Sequence, residues 1–305
     1  MKVSIITIVY NNRACIADCI RSVQEQTYYK IEHIVIDGDS TDGTQEQIAP
    51  FRDKLTYYES EKDKGLYYAL NEGIEHATGD IIGILHSDDL YYDHDTVQKI
   101  VDAYKKSGAD MVYANGLYVG KTHTDKVLRF YPAKPFRSRY LHFGWVPLHT
   151  TIYVRREMFT KYGMYDTHYD IASDYEISLR WLTNKNIKTY FLNAFVVKMR
   201  MGGKSTKISL QKKKSMEDYD IIKRYKLEGF FTLGFKIARK IPQYIIPRVL
   251  NQSAATINIM MQIPRGKLLE LEENIHWVRM RFMKLIRLMR LMKFIRFIRF
   301  IKFMK

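Results

Sequence analysis

Acidic side chains follow three successive predicted strands of the N-terminal half, at the point where each strand ends. They are Asp37, Asp39 and Asp42 after the second strand, Asp63 after the third, and Asp88 with Asp89 after the fourth. Because carboxylates crowded at one sheet edge repel one another, such an edge favours a bound cation. The simplest is Mg²⁺ or Mn²⁺, held by one or two carboxylates together with substrate phosphates. A purely structural alternative stays open, since aspartate also favours turns and helix N-caps.

The elements that must position these residues alternate between strand and helix over the first 120 residues. We predict strands at Val3–Tyr10, Ile31–Asp37, Leu55–Glu59, Ile81–Leu85 and Met111–Tyr118, with helices at Cys15–Gln26, after Gly43, at Leu66–Ala77 and at Thr96–Lys106. Strands separated by helices favour an α/β fold with a mostly parallel sheet flanked by helices. Ligands of such sheets bind at the carboxyl ends of the strands, where the aspartates lie.

The alternation stops after residue 118. We predict a strand at Thr151–Val154, helices at Arg156–Tyr162 and Tyr175–Lys185, strands at Lys188–Phe191 and Phe195–Met199, and basic helices from Lys207 onward. The predicted organisation is one domain with two halves, residues 1–118 and 119–206, followed by a helical basic extension at 207–274 and a tail at 275–305.

Several other kinds of site are disfavoured. No GxGxxG follows the first strand, where the sequence of Val9–Arg13 is VYNNR, and no GxxxxGK[ST] occurs. A nicotinamide-dependent dehydrogenase and a P-loop enzyme are therefore poor interpretations. The two cysteines, Cys15 and Cys19, lie four residues apart on a predicted helix, without the spacing of a zinc site or a disulfide framework. They are predicted to be small core residues in a protein of a reducing compartment.

Four motifs, in this order and at these spacings, resemble glycosyltransferase family 2. They are Ile5–Asn11 (IITIVYN), Ile36–Thr44 (IDGDSTDGT), Asp63–Gly73 (DKGLYYALNEG) followed by Ala77–Asp80 (ATGD), and Leu85–Asp89 (LHSDD). The resemblance covers residues 1–205 and implies the GT-A fold, in which a nucleotide-binding α/β sheet joins an acceptor-binding half. It also implies transfer of a sugar from a nucleotide-diphosphate donor, usually with inversion and most often from a UDP-sugar, with Mg²⁺ or Mn²⁺ as cofactor.

The resemblance implies roles for residues of the nucleotide-binding half. Thr7 and Tyr10 would line the nucleotide pocket, and a Tyr10 ring at a strand end can stack on a base. Asp37 would accept the imide N–H of the base, and Asp39 or Asp63 would lie near the base and ribose. The remaining donor-binding candidates from these motifs are Asn11, Gly65 and Asn71.

The resemblance also implies the metal ligand. Asp89 would hold the metal on the diphosphate, with Asp88 on the ribose side or in support. The motif departs from a plain Asp-x-Asp because position 87 is Ser, which leaves Asp89 as the main ligand. The metal would neutralise charge that develops on the leaving diphosphate. At the end of the second half, Arg200 and Ser205 flank two glycines and would form a diphosphate lid, with a plain basic turn as the alternative.

The acceptor-binding half must supply a base, since a hydroxyl is a poor nucleophile until a carboxylate takes its proton. The stretch around Asp174 resembles the acidic acceptor motif of the family, whose aspartate is the catalytic base, and Asp170 is the reserve candidate. The alternative is that Asp174 only caps the helix that it precedes. Trp145 and His149 lie in a stretch that resembles the acceptor side; His149 could equally be a structural histidine.

Charge separates the tail from the rest of the chain. The 305 residues contain 49 Lys or Arg and 33 Asp or Glu, a net charge of +16. Ten of the cations, and no acid, lie between residues 275 and 305. From residue 281 the cations recur at every third position between apolar pairs, so the tail is amphipathic over short stretches and could lie on an anionic membrane surface. A repeat expansion without a role is the alternative.

The predicted function is therefore an inverting glycosyltransferase at the cytoplasmic face of the cell membrane, acting on a glycan or polyprenyl-linked acceptor in polysaccharide biosynthesis. One alternative is a nucleotidyltransferase acting on sugar phosphates, which would need a glycine-rich basic loop near the N-terminus that this chain lacks. Another is a membrane-binding or nucleic-acid-binding protein driven by the basic tail. Phe-Ile pairs in the tail fit lipid better than nucleic acid, so no nucleic-acid partner is expected.

Overall fold

A nine-stranded mixed sheet forms the centre of the computed structural model, which describes residues 1–202 and 208–239. The N-terminal part contains β1 (Val3–Val9), β2 (Ile31–Asp37), β3 (Tyr57–Ser60) and β4 (Ile81–Ile84), in the order β3-β2-β1-β4. All three pairings between these strands are parallel. The runs of β-branched residues in β1 and β4 are buried at every position, as expected for strands covered on both faces.

The sheet continues as β4-β8-β6-β9-β5, with β7 paired to β6. These strands are β5 (Asp89–Tyr91), β6 (Met111–Val119), β7 (Val127–Tyr131), β8 (Ile152–Arg155) and β9 (Thr189–Arg200). β8 runs antiparallel to β4 and β6, whereas β9 runs parallel to β6 and antiparallel to β5. Because β5 pairs with the end of β9, Asp89 lies opposite Met199 and next to Arg200.

Helices cover both faces of the sheet. They are α1 (Ile16–Gln24), α2 (Thr44–Ile48), α3 (Leu66–His76), α4 (Thr96–Ser107), α5 (Arg139–His142), α6 (Glu157–Tyr162), α7 (Ser173–Thr183), α8 (Ile208–Arg224) and α9 (Phe230–Ala238), with short 3-10 helices at Ala49–Lys54 and His149–Thr151. Alternate residues of β1 enter different cores: Ile6 packs with α3 and α7, and Ile5 packs with α1 and α4. α8 packs on α7, and α9 packs on α5 and α8.

The sequence-based elements agree with the structure in the N-terminal half apart from β5, and they differ more in the C-terminal half. The two strands predicted at Lys188–Phe191 and Phe195–Met199 are one strand, β9, and neither β5 nor β7 was predicted. β5 is three residues long and is held by pairing with a segment more than 100 residues later, so its own sequence carries little signal. Within residues 1–202 and 208–239, every helix is too short or too polar to cross a membrane.

Three predictions concern residues that the structure does not describe. They are the lid residue Ser205, the part of the helical extension beyond residue 239, and the tail at residues 275–305.

Candidate active site

The carboxyl ends of β1 to β4 meet at one edge of the sheet because these four strands are parallel. Tyr10 follows β1 with its side chain 65% exposed, and Asp37 ends β2. Asp63 lies shortly after β3, and Asp88 lies shortly after β4. One edge therefore carries an open aromatic ring together with several carboxylates.

Gly38 allows Tyr10 and Asp63 to approach each other at this edge. A Cβ added at Gly38 would lie 2.7 Å from Asp63 Oδ2 and 3.4 Å from Tyr10 Cδ2. The other carboxylate oxygen of Asp63 accepts a hydrogen bond of 2.9 Å from the backbone N–H of Gly65, at the start of α3. An aromatic face beside a carboxylate oxygen can stack on a base and accept one of its N–H groups.

Asp37, for which the family resemblance implies a hydrogen bond to the base, is enclosed by its own turn in the structure. Its side chain is fully buried, and one carboxylate oxygen accepts hydrogen bonds from the Ser40 backbone N–H and the Ser60 hydroxyl at 3.1 and 2.6 Å. The other accepts the Ser40 hydroxyl at 2.5 Å. Asp37 thus organises the turn after β2 and ties it to β3, without an exposed surface for a base. Asp39 is exposed in that turn, with a left-handed φ of 62°.

The side chains of Thr7 and Asn71 make hydrogen-bond contacts within the protein. Thr7 is fully buried, and its hydroxyl lies 3.0 Å from His33 Nε2. The Asn71 side chain donates to the Tyr165 carbonyl at 3.0 Å and accepts from the Tyr165 N–H at 2.9 Å, which fixes α3 to the loop before α7. Asn11 is exposed and accepts a 2.9 Å hydrogen bond from the Thr41 N–H, so it joins the loops after β1 and β2.

Asp89 is fully buried, and neither carboxylate oxygen has a hydrogen-bond partner in the described part of the chain. Burial raises the pKa of Asp89 well above its usual range, and the charge of Asp88 raises it further, while Arg200 opposes the shift. A buried carboxylate without a partner is unfavourable unless it is protonated or compensated by a cation. Oxygen ligands of this kind suit Mg²⁺ or Mn²⁺, so the residues present fit the metal that the family resemblance implies.

Arg200 closes this end of the site at the last position of β9. Its guanidinium donates to Asp18 Oδ2 at 2.7 Å and to the Asp88 carbonyl at 3.4 Å. The Arg200 side chain is almost fully buried, and its Nε has no partner among the described residues. Asp18 on α1 therefore holds a guanidinium beside Asp89, where it can contact a diphosphate.

Asp174 lies in the first turn of α7 but does not cap it. The N-cap position is Ala172, without a side-chain cap hydrogen bond. The Asp174 N–H donates to the Tyr67 hydroxyl at 3.3 Å, and that hydroxyl donates to the Ile171 carbonyl at 2.9 Å. Tyr67 thus positions the start of α7.

The Asp174 carboxylate is ionised at neutral pH. Burial by itself would raise its pKa, but the charges of Lys214, of His149 when it is protonated at acidic pH, and of Lys236, with a hydrogen bond from the Tyr175 N–H, outweigh burial and lower it. An ionised carboxylate is the form that accepts a proton.

Two histidines connect the two ends of the site. The rings of His86 and His149 lie 6.0 Å apart. Burial lowers the pKa of His86, and the charges of Asp88 and Asp174 oppose that shift. Both carboxylates are therefore close enough to interact electrostatically with His86. Burial lowers the pKa of His149 to about 4, and its Nε2 lies 2.6 Å from the Tyr165 hydroxyl. Two neighbouring imidazoles, both with lowered pKa values, are therefore close to Asp174, and His86 is also close to Asp88.

The other acceptor-side candidates lie outside this cluster. Trp145 is buried and packs edge-to-face on Tyr113 and Tyr140, which makes it a core residue. Asp170 is on the surface in an ion pair with Lys213.

Sequence reasoning missed His86, Tyr67, Lys214 and Lys236. His86 was within reach, because it directly precedes Ser87 in the LHSDD motif. The two lysines lie on α8 and α9, far along the chain from any motif. Lys236 donates to Asp218 at 2.8 Å, and its ammonium lies 3.0 Å from the centre of the Tyr175 ring.

Solved structures of other proteins share this architecture. S. aureus TarS 1-349 in complex with UDP-GlcNAc matches with a TM-score of 0.58 and 18% identity, over 74% of this chain and 65% of that chain. A mannosyltransferase from Pyrobaculum calidifontis, in complex with GDP-Man and Mn²⁺, matches with a TM-score of 0.56 and 18% identity, over 92% of this chain and 84% of that chain. At these identities the likeness establishes the fold alone, and the predicted GT-A fold is confirmed.

Sequence comparison establishes the family. An uncharacterized glycosyltransferase of Mycobacterium tuberculosis is 34% identical over 182 residues, which are 58% of this chain and 68% of the relative. A PGL/p-HBAD biosynthesis glycosyltransferase of Mycobacterium bovis is 27% identical over 210 residues, covering 67% of this chain and 79% of the relative. The sequence model of Glycosyl transferase family 2 matches residues 4–165. The chain therefore belongs to glycosyltransferase family 2 and is a transferase.

Proposed function

We propose that this protein is an inverting glycosyltransferase that moves a sugar from a nucleotide-diphosphate donor to an acceptor hydroxyl. One observation carries the proposal: His86 is close enough to both Asp88 and Asp174 for each carboxylate to act on its pKa, so the buried Asp89 next to Asp88 and the ionised Asp174 belong to one site. In a direct displacement the reacting carbon must lie between the leaving diphosphate and the attacking hydroxyl. A site with a cation-binding carboxylate at one end and a base at the other supports that arrangement.

The proposed step divides the work between the two ends. Asp174 takes the proton of the acceptor hydroxyl. At the same time the hydroxyl oxygen of the acceptor bonds to the anomeric carbon, and the bond from that carbon to the diphosphate oxygen breaks. Attack from the face opposite the leaving group inverts the anomeric configuration. Asp89, with Asp88 in support, would hold Mg²⁺ or Mn²⁺, which acts as a Lewis acid on the diphosphate. The Arg200 guanidinium would contact the same phosphates.

We propose a UDP-sugar as the donor, with Tyr10 and Asp63 at the base. The Tyr10 ring is open for stacking, and the Asp63 carboxylate beside Gly38 can accept a base N–H. TarS is described in complex with UDP-GlcNAc, which supports this choice, whereas the mannosyltransferase is described with GDP-Man. Because uracil and guanine both present an N–H, the geometry supports either base. The transferred group is proposed to be a hexose or an N-acetylhexosamine.

The proposed acceptor is a glycan or polyprenyl-linked sugar in polysaccharide biosynthesis, used at the cytoplasmic face of the cell membrane. A relative named for PGL/p-HBAD biosynthesis and the basic, apolar C-terminal sequence support this proposal. The division into a donor half at residues 1–118 and an acceptor half at 119–206 is consistent with Asp88 and Asp89 on the first and Asp174 on the second.

A donor panel tests the function. Purified protein is incubated with UDP-glucose, UDP-galactose, UDP-GlcNAc, UDP-GalNAc or GDP-mannose in the presence of Mg²⁺, Mn²⁺ or EDTA. The nucleoside diphosphate that is released is measured. We expect slow hydrolysis of one UDP-sugar that needs a metal and gives the inverted anomer in proton NMR. Release of pyrophosphate from a nucleoside triphosphate and a sugar phosphate would instead support a nucleotidyltransferase.

A further inference from the structure

The outward side of α9 exposes several large apolar side chains. Phe230, Phe231, Phe235 and Ile237 are 73%, 57%, 48% and 53% exposed. Phe143, just after α5, is 52% exposed and packs against Phe235 with ring centres 5.2 Å apart. We call these five residues the α9 patch. At 100° per residue, its four helical members span an arc of about 160°, centred near Gly234. A Cβ added at Gly234 would meet nothing within 4 Å in the described part of the chain, so there is space around this position.

The inward side of α9 is fixed to the rest of the protein. The Thr232 hydroxyl donates to the His142 carbonyl at 2.9 Å, and the buried Lys236 ammonium donates to Asp218 at 2.8 Å. Gly144, at a φ of 62°, makes the close approach feasible, since its Cβ would lie 2.5 Å from the Lys236 Cβ. The orientation of α9, and therefore the exposure of the patch, follows from these contacts.

Cations lie near both ends of the α9 patch. Burial is the largest cause of the lowered pKa of Lys134, and the charges of Arg239, which directly follows α9, and of Arg139 lower it further, so these three cations lie near one another. On the other side, Lys223 lies 5.7 Å from the ring of Tyr219, which stacks on Phe230.

Acids are scarce there. The sequence of α9 contains none, and Glu228 just before it forms an ion pair with His142. The charge around the patch therefore complements an anionic surface.

We propose that the α9 patch is a membrane-docking surface for a bilayer that contains anionic lipid. Aromatic side chains ringed by Lys and Arg are the composition that seats a helix at the headgroup level. The sequence that follows, residues 240–305, contains 14 Lys or Arg and three Glu, so the chain continues with the same charge. A folded protein partner would need carboxylates opposite these cations and an apolar patch of its own, whereas anionic lipid supplies both.

Docking would also orient the site. Lys236, on the inward side of α9, is close enough to Asp174 for its charge to lower the pKa of that carboxyl, so docking through the outward side of α9 would hold the base near the bilayer. This consequence rests on the proposed function and implies an acceptor that is presented at the membrane surface.

A local fluorescence probe tests the docking surface in the full chain. The native cysteines, Cys15 and Cys19, are buried, so Ile237→Cys can be labelled selectively with an environment-sensitive dye. Tyr29→Cys, at a position that is 82% exposed, is the matched control. With phosphatidylglycerol-containing vesicles we expect a blue shift and brighter emission at position 237, none at 29, and a weaker response with phosphatidylcholine alone.

Two outcomes would overturn the proposal. If the protein sediments with vesicles while the dye at 237 does not respond, lipid contact is made elsewhere. If the dye is already in an apolar environment without vesicles, another part of this chain or a second copy covers the patch.

A substitution series gives an independent readout. The full chain with Phe230→Ser, Phe235→Ser and Ile237→Ser should bind anionic vesicles at least fivefold more weakly, with donor hydrolysis in vesicle-free solution unchanged. Tyr29→Ser is the matched control and should bind as the parent does. Vesicle binding equal to that of the parent would contradict the proposal. If the α9 patch inserts into vesicles but the protein hydrolyses no sugar nucleotide, the docking proposal stands and the proposed function is rejected.

Discussion

The Asp63 carboxylate occupies the space that a side chain at position 38 would fill, since its Oδ2 lies 2.7 Å from the Cβ position of Gly38. The same Cβ would lie 3.4 Å from the Tyr10 ring. The absence of a side chain at Gly38, in the turn after β2, therefore allows the Asp63 carboxylate to lie beside the exposed Tyr10 ring. Asp63 and Tyr10 together place a hydrogen-bond acceptor next to a stacking surface, which neither residue provides alone.

Replacing Gly38 should weaken donor binding. In Gly38→Ala the new methyl group displaces the Asp63 carboxylate, and a hydrogen bond to a charged group contributes about 1.5–3 kcal/mol. We expect the KM for the nucleotide donor to rise about tenfold to 100-fold with a smaller change in kcat. The control is Gly234→Ala, where the methyl group meets nothing within 4 Å. An unchanged donor KM in Gly38→Ala would remove Asp63 from the base site.

Asp89→Asn should abolish metal binding without unfolding the protein. The carboxylate is buried without a partner, so a neutral amide of the same size lacks the unfavourable desolvation of a charge. Calorimetry with Mn²⁺ should detect no binding, and metal-dependent hydrolysis should be lost. The exposed Asp53→Asn is the control. Mn²⁺ binding at parental affinity in Asp89→Asn would place the ion elsewhere.

Asp89→Asn should also change how the free energy of unfolding depends on pH. The raised pKa of Asp89 means that the folded state holds a proton more tightly than the unfolded state, so the metal-free parent loses stability as pH rises above about 4. Asp89→Asn lacks this loss. We expect the variant to exceed the parent in free energy of unfolding at pH 7, with a gap that closes towards pH 4. Urea unfolding in EDTA at several pH values measures it, and a gap independent of pH would contradict it.

Asp174→Asn should remove transfer and spare donor binding. A general base contributes about 10²–10⁴-fold, so kcat for transfer should fall by that factor while donor affinity by calorimetry stays the same. Asp170→Asn is the matched control, because Asp170 lies on the surface beside Lys213. A loss of less than about tenfold in Asp174→Asn would assign the base to another residue.

Lys214 should set the acidic limit of activity. Its charge is the largest of those that lower the pKa of Asp174, so the base stays ionised below the usual pH for aspartate. Lys214→Met should raise that pKa and move the acidic limb of the kcat profile to higher pH. Lys212→Met, on the exposed side of α8, should leave the limb in place. Identical profiles for parent and Lys214→Met would show that Asp174 is not the titrating base.

The sequence by itself determined the N-terminal half of the fold apart from β5. Predominantly apolar strands at β1, β2 and β4, with amphipathic helices between them, favour parallel strands that are buried on both faces. Parallel strands end at the same edge, so aspartates that follow successive strands were expected near one another without knowledge of any contact. The family could be predicted from the motifs because their residues and spacing are local features of the sequence.

The tertiary structure alone decided which of these side chains are available. Asp37 and Asp63 both follow strands, but hydrogen bonds from Ser40 and Ser60 enclose Asp37, while Gly38 leaves room for Asp63. The proximity of His86 to Asp174 depends on segments almost 90 residues apart. Burial and charge at a site are sums over side chains from distant segments, so a local pattern can name candidate residues but only packing assigns their roles.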